Sequence, residues 1–296
     1  MLIQTKPTAQ KHLKVGLVGE PKYGKTRLAT SLPWDVFGER AVYVAWDPGA
    51  ESLDSVLVEN REHLVVVQPA PKKVGTKLVF DPHTEAISIA TKPWATGFKE
   101  GEVEVPPCQT LIWDTMTATA RDLLAAYADS GVFSGEKGDK HVSVGDFGTN
   151  YYMAQPMMGD YGIAQRAVLH ILRFLLKQPL NVIVLFHTDY MEPEGAGQVT
   201  FGPATIGKAA IKPVASLFDN LFVLDVQDRL VRGAGGGPPT RMTKRQVYTD
   251  KKGLYLGGMR SPYPRNPIPE VELSDNPVEF WQLVNTVLKG EYKEKK

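Results

Sequence analysis

The chain has 296 residues, 43% apolar and 23% charged, an ordinary balance for a globular protein able to bury a large core. A net charge of +1 excludes a global field that would draw it to nucleic acid, so any such binding has to come from local patches. The single cysteine, Cys108, excludes an internal disulfide and suits a reducing cytoplasm. With no apolar signal core and no apolar run of membrane-spanning length, the expectation is a soluble cytoplasmic protein without a membrane partner.

Residues 1–13 are a polar lead-in. Residues 14–30 read KVGLVGEPKYGKTRLAT, and the rest of the chain is organised around them. Residues 15–18 are an apolar run suited to a buried strand. Gly19, Glu20, Pro21, Lys22, Tyr23, Gly24, Lys25 and Thr26 then fit G-x-x-x-x-G-K-[ST], and Arg27 opens a helix. Strand, glycine-bounded loop and helix in that order are the context a P-loop requires. Glycines let the backbone curl until several N–H groups point at one anion, and the helix start adds the positive end of a dipole. In this pattern Lys25 reaches the β- and γ-phosphates of ATP, and the Thr26 hydroxyl ligates Mg²⁺.

Further strands are expected at 41–46, running into Asp47, and at 64–67. Residues 69–107, rich in Pro, Gly and Lys, read as an insertion at the edge of the core sheet, with 77–80 and 87–90 forming a hairpin around Asp81-Pro82-His83. A buried strand at 110–113 ends at Asp114, and a helix follows at 117–128. Residues 131–162 show little apolar periodicity and read as a long loop, of the kind that is functional or mobile. An amphipathic helix at 163–177 leads to a strand at 181–186 that ends at His187. Residues 188–210 are a second Gly-rich loop, 221–225 a strand and 233–239 a turn. Residues 246–249 and 253–256 suit a hairpin, 277–288 a helix, and 289–296 a charged tail.

Short apolar strands separated by helices predict an α/β fold, a mostly parallel central sheet flanked by helices, within one domain over 14–288. Ligands sit at the carboxyl ends of such strands, where the P-loop, Asp47, Asp114 and His187 fall. Asp114 suits the Mg²⁺ shell, and His187 suits a group facing the γ-phosphate. Hydrolysis also needs a base to orient water; Asp47 and Glu51 are both placed for it, with Glu51 slightly favoured. The six histidines show no metal-ligand spacing.

The succession GEPKYGKT, VYVAWDPGAESL, TLIWDT and NVIVLFHTD resembles the core of RecA-type P-loop ATPases, most closely their short phage-encoded branch, which includes single-strand annealing proteins. Gly207-Lys208 followed by LFDNLFVL resembles the segment after that family's second loop, and residues 245–261 resemble its closing β-hairpin. The resemblance spans residues 14–261. It implies that Lys25 and Thr26 bind phosphate and Mg²⁺, that Asp114 holds Mg²⁺ and that His187 senses γ-phosphate. Asp47 is followed by Pro48 and Gly49, so the family's catalytic glutamate is replaced by glycine, which implies slow hydrolysis.

In the family two loops line a path for single-stranded DNA; here they correspond to 131–160 and 188–210. The first offers Lys137, Lys140, Tyr151 and Tyr152 as DNA contacts, and it equally suits a substrate lid or an oligomer contact, because acids nearly balance its lysines. Lys208 in the second and Lys212 just past it suit a role in trans at a neighbouring subunit's γ-phosphate. The function implied is an ATP-dependent DNA recombination protein that anneals or pairs strands as a ring or filament. Another P-loop enzyme (a packaging motor or a small-molecule kinase) and a nucleotide-switched binding module are the alternatives.

Overall fold

The computed structural model describes residues 12–47, 56–74, 77–130, 141–143, 152–154, 156–191, 199–231, 240–252 and 255–293. Strand β1 (Lys14–Gly19) leads into helix α1 (Lys25–Thr30), then α2 (Trp34–Phe37) and β2 (Ala41–Ala45). A 3-10 helix, Val58–His63, precedes β3 (Leu64–Val67). The insertion holds β4 (Lys72–Val74), β5 (Lys77–Val79), α3 (Pro82–Thr91), β6 (Phe98–Glu100) and β7 (Val103–Val105). Next come β8 (Thr110–Asp114), α4 (Met116–Ser130), β9 (His141–Ser143), β10 (Tyr152–Ala154), α5 (Met158–Lys177) and β11 (Asn181–Phe186). The chain continues through β12 (Thr188–Met191), β13 (Thr200–Pro203), α6 (Ile211–Ala215), β14 (Asn220–Val231), β15 (Thr240–Tyr248), β16 (Gly258–Met259), β17 (Glu270–Glu272) and α7 (Val278–Leu288).

The main sheet runs β17-β15-β14-β1-β11-β8-β2-β3, with β16 also on β14. The strands from β14 to β3 are parallel; β15, β16 and β17 are antiparallel. This is an α/β fold with a mostly parallel central sheet flanked by helices, in which β11 lies between the P-loop strand and the strand that ends in Asp114. Alternation sends successive side chains to opposite faces. Val15 and Leu17 of β1 join Leu28 and Ala29 of α1 and Phe280 and Trp281 of α7. Val18 joins the other face, with Ile89 of α3, Ala120 of α4 and Ile171 of α5. Both faces are covered, which is why β1, β2, β8 and β11 read as continuous apolar runs.

Four expectations need correction. Residues 87–90 belong to a helix, and β5 pairs with β4. Asp81 caps that helix by accepting from the N–H groups of His83 and Thr84, and Pro82 occupies its first turn. The long loop ends earlier than expected, because α5 starts at Met158, where the Asp160 carboxylate accepts from the Met157 N–H. Residues 188–210 are not a plain loop: β12 and β13 form a hairpin, Thr188 opposite Pro203. The expected pairing of 246–249 with 253–256 is replaced. Gln246 to Tyr248 pair with β14 on one side and β17 on the other, while Tyr255 makes isolated bridges to Phe201 and Lys252. Among the described residues no helix is long and apolar enough to cross a membrane.

Candidate nucleotide site

The site forms at the carboxyl ends of β1, β2, β8 and β11. Gly19 ends β1 beside β14, and a Cβ there would lie 2.9 Å from the Leu224 carbonyl oxygen, so only glycine lets the strands approach. Gly24 turns the loop into α1 with φ 95 and ψ 23, a left-handed conformation costly for other residues. Its carbonyl then accepts the first helical N–H, from Leu28, at 2.9 Å.

Lys25 is 6% exposed. Its ammonium folds back onto the loop and donates to the carbonyls of Gly19 at 2.8 Å and Glu20 at 2.9 Å. Burial lowers its pKa to about 8, against the opposing charges of Asp114, Glu20 and Asp47. The sign follows directly. Below about pH 8 the free site already carries the proton that phosphate needs; above it, binding has to supply that proton. We expect ATP affinity to fall about tenfold per pH unit above that point, with proton uptake on binding. Calorimetric titration in buffers of different ionisation enthalpy checks this, and binding without proton uptake at pH 9 would contradict it.

The Thr26 hydroxyl donates to Asp114 Oδ2 at 2.6 Å, and the Tyr43 hydroxyl donates to the same oxygen at 2.7 Å. Asp114 is 3% exposed. Burial raises its pKa, and the two hydroxyls and the Lys25 charge pull it back. Its own carbonyl accepts from the N–H groups of Trp46 at 2.7 Å and Asp47 at 3.1 Å, which pins Asp47 beside it. Among the described residues no group of three or more His, Cys, Asp or Glu could hold a metal ion. A hydroxyl and one carboxylate in contact suit Mg²⁺, which takes few protein oxygens and completes its shell with water and phosphate. Thr26 and Asp114 are the residues that would hold it, and the cation would supply charge stabilisation between phosphates.

His187 follows β11, half-buried. Burial and the Lys25 charge hold its imidazole below the usual histidine range, so it is neutral near pH 7. Thr117 fixes its backbone: its hydroxyl accepts from the His187 N–H at 3.0 Å and donates to the Ala204 carbonyl at 2.7 Å. The Ala204 N–H in turn donates to the His187 carbonyl at 2.7 Å.

The structure therefore brings Lys25, Thr26, Asp47, Asp114 and His187 together. Glu20, Pro21 and Lys22 are the exposed rim of the loop, Lys22 with φ 68, and Tyr23 is half-buried against the α1–α7 side. The Arg27 guanidinium donates to the Asp275 carbonyl at 3.3 Å, in the approach to α7. Lys208 and Lys212 are exposed, and the Lys208 ammonium sits 4.1 Å over the Tyr190 ring. Glu51, Lys137, Lys140 and Tyr151 lie outside the described residues, as does the Tyr152 side chain, although its backbone is in β10. Sequence reasoning missed Tyr43 and Thr117. Tyr43 is one apolar-looking residue in a buried strand, and only the packing of β2 against β8 brings its hydroxyl to Asp114.

Comparison with solved structures finds similarity to a KaiC-like protein from Pyrococcus horikoshii OT3, at 13% identity and TM-score 0.43, covering 90% of this chain and 92% of that one. The RadB recombinase is similar at 13% identity and TM-score 0.36, covering 79% and 86%. An ATPase of the type III secretion system of pathogenic bacteria is similar at 15% identity and TM-score 0.35, covering 72% and 51%. A search of curated proteins finds no match. A family profile described as an AAA domain matches residues 11–261, a span that takes in the P-loop, Asp114 and His187. With the strand–loop–helix, its lysine and its hydroxyl–carboxylate pair in place, the chain belongs to the AAA domain family of P-loop ATPases.

Proposed function

We propose that this P-loop ATPase hydrolyses ATP with Mg²⁺ and couples the cycle to single-stranded DNA, promoting annealing or strand pairing as a ring or filament. The observation that carries the ATPase half is the convergence of Lys25, Thr26 and Asp114, with Asp47 and His187 beside them. Lys25 neutralises phosphate charge, Glu51 orients the attacking water, with Asp47 as the alternative base, and neutral His187 faces the γ-phosphate. Lys212 reaches a neighbouring subunit's nucleotide, and Lys208 serves the DNA surface described next.

The DNA half is supported by a surface beside β12. Tyr190 is 42% exposed under the Lys208 ammonium. Tyr161, at 37%, lies within reach of Gly207, and Met157 and Met158 are exposed on the same end of α5. Rings for base stacking beside a cation for phosphate are what a sequence-tolerant single-strand contact needs. The test is ATP hydrolysis with single-stranded DNA, with duplex and with neither. We expect stimulation by single strands alone, and a Tyr190→Ala chain that binds them roughly tenfold more weakly. Hydrolysis indifferent to DNA would point to another P-loop enzyme, stimulation by duplex to a motor, and ATP binding without turnover to a nucleotide-switched binding module.

A further inference from the structure

β2 reads Ala-Val-Tyr-Val-Ala and is buried throughout. Phenylalanine would fill position 43 as well as tyrosine, and a buried hydroxyl costs free energy unless it is hydrogen-bonded. Its partner is Asp114. Tyr43 registers with Ile112 and Ala45 with Asp114, so Tyr43 and Asp114 project on one face, two positions apart along neighbouring strands. Ala45, the residue beside Asp114, is small enough to leave the hydroxyl that route. Burial and the Asp114 charge both push the Tyr43 phenol up, so it stays a donor.

An aspartate carboxylate turns easily about its last torsion. Here one oxygen, Oδ2, takes hydroxyls from both Thr26 and Tyr43. Two donors from different elements hold the group in one orientation, and among the described residues the other oxygen receives no hydrogen bond. The charged groups acting on Asp114 are Lys25 from α1 and Asp47 after β2.

We propose that Tyr43 is a positioning residue for the Mg²⁺-holding aspartate, fixing Asp114 so that its second oxygen meets the water shell of a cation carried by Thr26 and the nucleotide. This rests on the nucleotide–Mg²⁺ reading of the site. Without the phenol, Thr26 alone orients Asp114, and its own oxygen is then shared between that task and the cation.

The test is Tyr43→Phe in the full chain, titrated with a fluorescent ATP analogue in EDTA and across Mg²⁺ concentrations. The expected result is an affinity in EDTA within about twofold of wild type and a Mg²⁺ requirement about tenfold higher. A fall in affinity equal with and without Mg²⁺ would mean packing alone, and an unchanged Mg²⁺ requirement would also overturn the proposal. Should Tyr43→Phe fail to fold, adding Asp114→Asn removes the buried charge the phenol serves. Recovery of the fold then ties the phenol to that charge, and continued failure rejects it. A wild-type chain that binds no analogue overturns the site reading and the proposal together, a result distinct from one that binds while the variant responds to Mg²⁺ unchanged.

Discussion

Lys25→Ala should abolish nucleotide binding, with a loss of at least about a hundredfold. The size follows from what the ammonium does. It is the buried cation of the cleft, and its two bonds to the Gly19 and Glu20 carbonyls mark the place from which it turns to phosphate. Charge-assisted hydrogen bonds contribute roughly 1.5–3 kcal/mol each, and two of them correspond to a factor on the order of 10²–10⁴. The fold should tolerate the change, because burying the ammonium is itself unfavourable, as its lowered pKa records. The variant should therefore melt close to wild type without ligand and lose the upward shift that ATP gives wild type. Binding within about threefold of wild type would reject the P-loop as the site.

The second large effect lies far along the chain. Trp281 is wholly buried, and its indole N–H donates to the Leu28 carbonyl of α1 at 2.7 Å. Its ring lies against Phe37, Phe222 and Phe280, with centroids 5.9, 6.4 and 5.2 Å away. Trp281→Ala should cost about 3–5 kcal/mol, the range for deleting a large buried aromatic, and lower the melting temperature by on the order of 10 °C. Trp281→Phe keeps most of the volume and gives up the hydrogen bond, so about 1–2 kcal/mol is expected. Denaturant unfolding of both variants measures the split. An alanine variant within about 1 kcal/mol of wild type would show that α7 is dispensable. The helix lies past residue 261, where the family match ends, yet it grips the helix that carries Lys25 and Thr26.

The parallel strands of the sheet were legible where each is a short apolar run bounded by turn residues. The expected 64–67 and 181–186 coincide with β3 and β11, and 110–113 stops one residue short of β8. The P-loop was legible because its chemistry is local. The stretch after β5 was misread although its signal was present: Asp81 followed by Pro82 opens a helix, but the apolar residues around Ile87 also suit a strand, and periodicity over so few residues does not separate them. β14 was read as five residues because its apolar stretch ends at Asp225, while the ladder to β15 carries it on to Val231. Tyr43 and Thr117 were illegible for another reason: their roles exist only where one element packs against another.

The position of β1 inside the sheet has a consequence for how the chain is made. Its neighbours are β11 and β14, both synthesised long after it. The bond from the Leu13 N–H to Asn181 closes across 168 residues, and the bond from the Asn220 amide to the Lys14 carbonyl across 206. At roughly 5–20 residues per second, a ribosome needs on the order of 10–40 s to deliver the second neighbour. Until β11 emerges the apolar strand that leads to the P-loop has neither edge paired in its native sheet, and until β14 emerges it has one edge still open. The motif translated ahead of its sheet neighbours is thus among the last to be finished, and ATP can stabilise only a chain already extended through β14.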